Sequence, residues 1–175
     1  MRIRKAVLSD VKGIAKVHVD SWKTTYKDII PNDFLNNLSY EQRTKLWTQN
    51  VLRKDNYIAI AENADGKIVG FADCWKRETN PVPFSSDITS IYLLDQYQGK
   101  GIGKRLLLQL FIHLKQLGIK NAYVDVLEEN NTRYFYEHYG AKLHRTKPIK
   151  IGGVVLNELT YEWRDVDCVL SMLEK

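Results

Sequence analysis

Residues 98–107, QGKGIGKRLL, set glycines at 99, 101 and 103 directly in front of leucines at helical spacing. Bare backbone at the mouth of a helix suits an anion, because the first N–H groups point outward and the helix end carries about half a positive charge. Two phosphate motifs can be tested letter by letter. A nucleotide P-loop needs Ser or Thr after Gly-Lys, but Gly103-Lys104 is followed by Arg105, and its leading glycine would fall on Gln98. A dinucleotide fingerprint needs a third glycine where Leu106 stands. Both fail, and the loop reads either as a backbone phosphate site of another kind or as a glycine-rich turn that merely starts a helix. Lys100, Lys104 and Arg105 either add diffuse attraction for phosphate or are solvated charges on an exposed helix start.

Further on, Tyr134, Phe135, Tyr136 and Tyr139 form an aromatic group that suits a core, or a hydroxyl aimed at a leaving group. His18 falls on an apolar stripe with no partner ligand at metal spacing, so it reads as a core or cleft-lining residue. Cys74 has neither a neighbouring histidine nor a helix start to activate it, and Cys168 lies far from it. Neither a covalent intermediate, a zinc site nor a disulfide framework is indicated, and a reducing cytoplasm fits.

The elements that must hold these residues follow from periodicity. RIRKA reads as a first strand, and Ser9 as the cap of a helix with Val11, Ile14, Ala15, His18 and Trp22 on one face. Pro31 opens a second helical stretch, and Ser39 with Gln42 forms a capping box for a third, YEQRTKLWTQNVL. The period then becomes two: YIAIAE, a turn NADGK and IVGFADCW form a hairpin, and DITSIYLL a further strand. After the glycines a helix places Ile102, Leu106, Leu110, Leu114 and Leu117 inward and stops at Gly118. NAYVDVL is a strand, NTRYFYEHYGA a short helix ending at Gly140, and the chain closes with a hairpin turned at Gly152-Gly153. The order predicts a single mixed α/β domain over residues 1–175, with helices on both faces of one sheet.

Composition narrows the partners. The 44% hydrophobic and 27% charged content of the 175 residues is that of a globular chain able to bury a core. The net charge of +5 suits an acidic ligand, but Lys and Arg are scattered, without the basic tract of a nucleic-acid-binding arm. No apolar run reaches the ~18 residues of a membrane span, and the N-terminus lacks the apolar stretch of a signal peptide.

Two of these motifs together resemble a known family. Gln98-x-x-Gly101-x-Gly103, between a strand and an amphipathic helix, resembles the acyl-CoA motif of the GNAT superfamily of N-acetyltransferases, and YFYEHYGA resembles its second motif. The front segment SWKTTYKDIIPNDFLNNLS and the tail IGGVVLNELTYEWRD resemble one bacterial subgroup of that family.

The resemblance implies a central, mostly antiparallel mixed sheet of six to seven strands and acetyl-CoA as co-substrate, with no metal. Gln98, Gly99, Lys100, Gly101, Ile102, Gly103 and Lys104 would hold the pyrophosphate. Main-chain groups of Ile91, Tyr92 and Leu93 would pair with the pantetheine arm, with the Leu93 N–H facing the thioester carbonyl. Asp95 stands where many members carry proline, and Gln98 where many carry arginine; neither change removes a backbone donor. Tyr136 would protonate the departing thiolate, and Asn130, or Asn131 one residue on, would contact CoA. Asp87 matches the position of a general base, or is an edge-strand charge. Trp22, Tyr26 and Asp28 would wall the acceptor cleft, although packing explains the first two equally well. The acceptor would be a small-molecule or peptide amine, and a cytoplasmic homodimer is the family-level expectation. The alternative is an acyl-CoA-binding sensor that has lost catalysis.

Overall fold

Alternating side chains between residues 57 and 75 sort themselves to the two faces of one sheet. A computed structural model describes residues 1–175. Its strands are β1 (Arg2–Lys5), β2 (Tyr57–Glu62), β3 (Ile68–Trp75), β4 (Ser85–Leu93), β5 (Asn121–Leu127), β6 (Lys142–Ile151) and β7 (Val154–Trp163). They form a seven-stranded sheet in the order β1-β2-β3-β4-β5-β7-β6, in which only β4 and β5 run parallel. Along β2, Ala59 and Ala61 enter one core while Ile58 and Ile60 enter another, as a period of two requires.

Six helices flank the sheet: α1 (Val11–Thr25), α2 (Asn32–Asn36), α3 (Tyr40–Leu52), α4 (Ile102–Gln116), α5 (Thr132–His138) and α6 (Val166–Leu173). On one face α4 buries Ile102, Leu106, Leu110 and Leu114, together with Leu107 and Phe111. Burial of each such side chain is worth about 1.5–3 kcal/mol. Leu117 departs from the expected stripe: it follows the last helical residue, where the chain turns into Gly118 (φ 70°), and it is 61% exposed. On the other face, Ile14, Ala15 and Val17 of α1 and Trp47 of α3 pack with Ile58, Ile60 and Phe71.

Two boundaries differ from the sequence expectation. Ser9 is not the first cap, because Leu8–Asp10 form a 3-10 turn and the Asp10 carboxylate takes the Val7 N–H at 2.8 Å while pairing with Arg4. Nor does the chain close with the hairpin, since α6 follows it. Asp165 caps α6 by accepting from the N–H groups of Asp167 and Cys168, and Val166, Val169, Leu170 and Leu173 join the α4 core. Ser39 does accept from the Gln42 N–H, at 3.2 Å.

Strands β4 and β5 pair only from Ser85↔Asn121 to Ile88↔Val124. Beyond that point β4 stays with β3 as far as Gly70↔Leu93, and β5 stays with β7 as far as Leu127↔Glu158. A gap therefore opens inside the sheet. At the far end of the β6–β7 hairpin, Gly152 (φ 58°) lies against α2, where a β-carbon would come within 3.0 Å of Phe34 and 3.3 Å of Pro31.

His18 lies between the sheet and α3, taking a hydrogen bond at Nδ1 from Trp47 Nε1 at 2.9 Å and stacking on Tyr92 with centroids 5.4 Å apart. Burial, and then the charge of Arg43, depress its pKa to about 3. The unfolded chain therefore takes up a proton near pH 6.5 that the folded state refuses, so stability is full above that pH and is lost as pH falls toward 3. Asp73, raised by burial to about 6, acts in the opposite sense. His18→Gln keeps an acceptor for Trp47 without titrating, which isolates the histidine. In urea unfolding, the stability of the native protein relative to this variant should fall by about 2 kcal/mol between pH 7 and pH 5; a constant difference would show that His18 protonates in place.

Candidate active site

A groove of ≈ 760 Å³ runs from the gap between β4 and β5 to the start of α4. Its wall includes Gln98, Gly99, Gly101, Gly103 and Lys104 from the loop, and Ile91 and Leu93 from β4. Gly99 and Gly101 take left-handed φ angles of 68° and 73°, and a β-carbon on either would meet no protein atom within 4 Å. The space over this loop is left for something other than the protein. Gly103 differs, since its β-carbon would sit at 3.6 Å, ordinary contact, from Leu93 and Phe135.

The gap exposes backbone selectively. Leu94 N–H donates to the Val69 carbonyl at 3.0 Å. Residues that turn both main-chain groups to one neighbour alternate along an antiparallel strand. Tyr92, opposite Phe71, therefore turns its groups to β3, while Ile91 and Leu93 turn theirs into the gap. This corrects the expectation for Tyr92, whose main chain is engaged and whose side chain lies on the opposite face of the sheet. The Leu93 carbonyl receives Gln98 Nε2 at 3.4 Å, leaving its N–H directed at the gap.

At the gap the structure gathers tyrosines from three elements. Tyr26, just after α1, and Tyr92 of β4 have hydroxyls 3.4 Å apart. Tyr136 of α5 is 4% exposed, behind Phe135 and Tyr139, which line the groove, and it lies within electrostatic reach of Tyr26. Burial pushes the Tyr136 hydroxyl far above the ordinary phenol range, with the nearby Tyr26 adding to the shift, so its proton is held at every working pH. Tyr92 is raised by burial in the same way.

Asn130 is 8% exposed and its Oδ1 accepts the Thr132 N–H at 2.9 Å, which commits that oxygen to starting α5; both Asn130 and Asn131 border the groove. Ile102 is buried beneath the loop, and Lys100 lies over the Tyr97 ring at 5.6 Å, so neither lines the groove. Trp22 packs edge-on against Tyr26 with centroids 4.8 Å apart. Asp28 is an exposed turn residue with φ 65° and does not reach the groove.

Asp87 is not brought to this site. It lies toward the other end of β4, six residues from Leu93, or about 20 Å of extended strand. Its Oδ2 is held by the Arg77 N–H and by Asn80 Nδ2, each at 3.0 Å, and it lines a separate groove with Asp125 and Thr160. Its geometry is that of a loop anchor, which is the physical reason to withdraw the general-base expectation.

The gap, the glycine loop and the capped tyrosine helix now stand in one arrangement, and similarity to known proteins agrees with it. The family model described as "Acetyltransferase (GNAT) family" matches residues 20–141. The chain belongs to the GNAT acetyltransferases. It is 34% identical to the uncharacterized N-acetyltransferase YuaI of Bacillus subtilis strain 168, over 99% of this chain and 98% of that protein. It is 27% identical to the spermidine N(1)-acetyltransferase of Thermoplasma acidophilum, over 83% of this chain and 91% of that one. Its fold matches the crystal structure of the PaiA N-acetyltransferase of Thermoplasma acidophilum in complex with coenzyme A, with a TM-score of 0.76, 24% identity and coverage of 93% of this chain and 98% of the other.

Sequence reasoning missed part of this groove. Thr24, Thr25, Lys27 and Ile29, in and just beyond the last turn of α1, line the groove together with the glycine loop. Only their place next to Tyr26 could have signalled them. Phe135 and Tyr139, read as aromatic cluster, form the groove wall that screens Tyr136.

Proposed function

We propose that the protein transfers the acetyl group of acetyl-CoA to a primary amine by direct attack within a ternary complex. The observation that carries this reading is the gap between β4 and β5, with the Leu93 N–H turned into it beside a glycine loop that leaves its own backbone uncovered. The related proteins named above support the acetyl-CoA chemistry and an amine acceptor.

The residues present fit such a co-substrate. Gly99 and Gly101 open the loop backbone to a pyrophosphate at the N-terminus of α4, and Lys104 adds positive charge. Ile91 and Leu93 offer main-chain partners to an extended amide-bearing arm. The Leu93 N–H donates to the thioester oxygen as the carbonyl carbon becomes tetrahedral. When the C–S bond breaks, the electron pair leaves on sulfur and Tyr136 donates its hydroxyl proton there. Cys74 takes no part, because burial holds its thiol protonated and the side chain lies in the core.

Gly101→Val places a branched β-carbon on left-handed backbone and over the exposed loop N–H groups. Calorimetric titration should show acetyl-CoA affinity reduced at least ~10-fold, about 1.4 kcal/mol, whereas Gly103→Ala, with room for its methyl, should bind nearly as the native protein does. Equal affinity for Gly101→Val would remove the loop from the cofactor site. Tyr136→Phe keeps the ring against Trp163 and should change stability by about 1 kcal/mol or less. Turnover, followed as CoA thiol release with spermidine or alaninamide, should fall about 10²–10⁴-fold with acetyl-CoA affinity retained. Full activity in the phenylalanine variant would assign the proton to water.

A further inference from the structure

On the sheet face away from α4, strands β3, β4, β5 and β7 carry Asp73, Asp87, Asp125, Glu158 and Glu162. Four of these are fixed by neutral donors. Asp73 takes the Thr89 hydroxyl at 2.7 Å. Asp87 takes the Arg77 N–H and the Asn80 amide. Asp125 takes the Thr160 hydroxyl on one oxygen and the Arg77 guanidinium on the other. Glu162 takes the Tyr123 hydroxyl and the Asn121 amide, with Arg164 on its second oxygen.

Glu158 is held differently. Its Oε2, closed to solvent, lies 2.7 Å from Lys147 Nζ without meeting hydrogen-bond geometry. Lys147 belongs to the edge strand β6, and its side chain is 45% exposed against 14% for Glu158. Glu158 also stands across from Leu127 at the open end of β5, and Leu127 shares an apolar cluster with Tyr26; Glu129, two residues past β5, lines the groove itself. Tyr92 packs against the same cluster, so the strand register sets Glu158 next to the side chains that surround the tyrosine pair. Of the neighbouring ionisable groups, Tyr92 is hydrogen-bonded to Tyr26, Asp125 lies two residues before Leu127 on β5, and Glu128 just after it accepts from Asn157 Nδ2 at 2.8 Å.

We propose that Glu158 engages the acceptor ammonium and takes up its proton, and that Lys147 holds the carboxylate until the acceptor displaces it. The inference rests on the acetyltransferase reading above. The balance is closed: one ammonium proton passes to Glu158, the freed nitrogen lone pair forms the C–N bond, the C–S pair leaves on sulfur, the thiolate takes the Tyr136 proton, and the nitrogen gives its second proton to water as the adduct collapses to the amide. Solvent then receives the proton from Glu158 and resupplies Tyr136.

The test uses the full chain with spermidine and alaninamide as probe amines. Glu158→Gln should lower kcat/KM about 10²-fold or more at pH 7, with the deficit shrinking toward pH 10 as the amine loses its own proton. Acetyl-CoA affinity should be retained. Lys147→Met should lower KM for the amine, because the resident cation is gone. In the native protein, the Glu158 side-chain carboxyl carbon resonance should move on titration with either amine, an outcome that does not depend on the variants folding. If Glu158→Gln matches native kcat/KM at pH 7, the proposal is overturned while the acetyltransferase reading stands. If the native protein neither binds acetyl-CoA nor acetylates either probe, that reading falls. An unmoved Glu158 resonance overturns the present proposal in either case.

Discussion

The early end of the β4–β5 pairing governs the molecule. Two parallel neighbours that would otherwise satisfy each other's backbone stop doing so at Ile88↔Val124, and main-chain groups buried without a partner are costly. Part of that need is met within the chain by Gln98 on the Leu93 carbonyl. The rest can be met by a ligand that presents amide-like groups in extended form. Each strand keeps its outer partner, so the sheet stays continuous through β3 on one side and β7 on the other while a cleft exists at its centre.

Around that gap the two faces of the sheet have different work. The α4 face is apolar and deep, and it aims the glycine loop and the start of α4 at the groove. The opposite face holds ionisable groups in fixed relations: a neutral histidine bonded to Trp47, a tyrosine pair, and on β3, β4, β5 and β7 carboxylates of which all but Glu158 are tied down by neutral donors. Burial sets the protonation of this face more than charge pairing does, since it is the largest influence on His18, Tyr26, Tyr92 and Asp73 alike.

Local rules made much of this legible in the sequence. The glycine loop, the period-two strands and the Gly152-Gly153 turn depend on neighbouring residues, and they lie where their chemistry places them. Asp87 was misplaced because position along a strand says nothing of which loop closes over it; Arg77 and Asn80 lie in the β3–β4 connection and reach it only in three dimensions. Helix α6 had a readable signal, an Asp165 cap followed by apolar residues at 166, 169, 170 and 173, hidden by its closeness to a strand pattern. Glu158 was not legible at all. Among the five carboxylates that β3, β4, β5 and β7 carry on this face, what sets it apart is the absence of neutral donors, which no sequence spacing encodes.

The close approach of Gly152 to Phe34 and Pro31 brings together segments more than a hundred residues apart along the chain. With no side chain at the tip, the hairpin can lie directly against α2, and β6 and β7 are drawn toward the aromatic group around Tyr26. The seating of the hairpin on α2 is thus set by steric fit at a single glycine. A side chain at position 152 would meet Phe34 and Pro31, so the hairpin tip and the start of α2 can change only together.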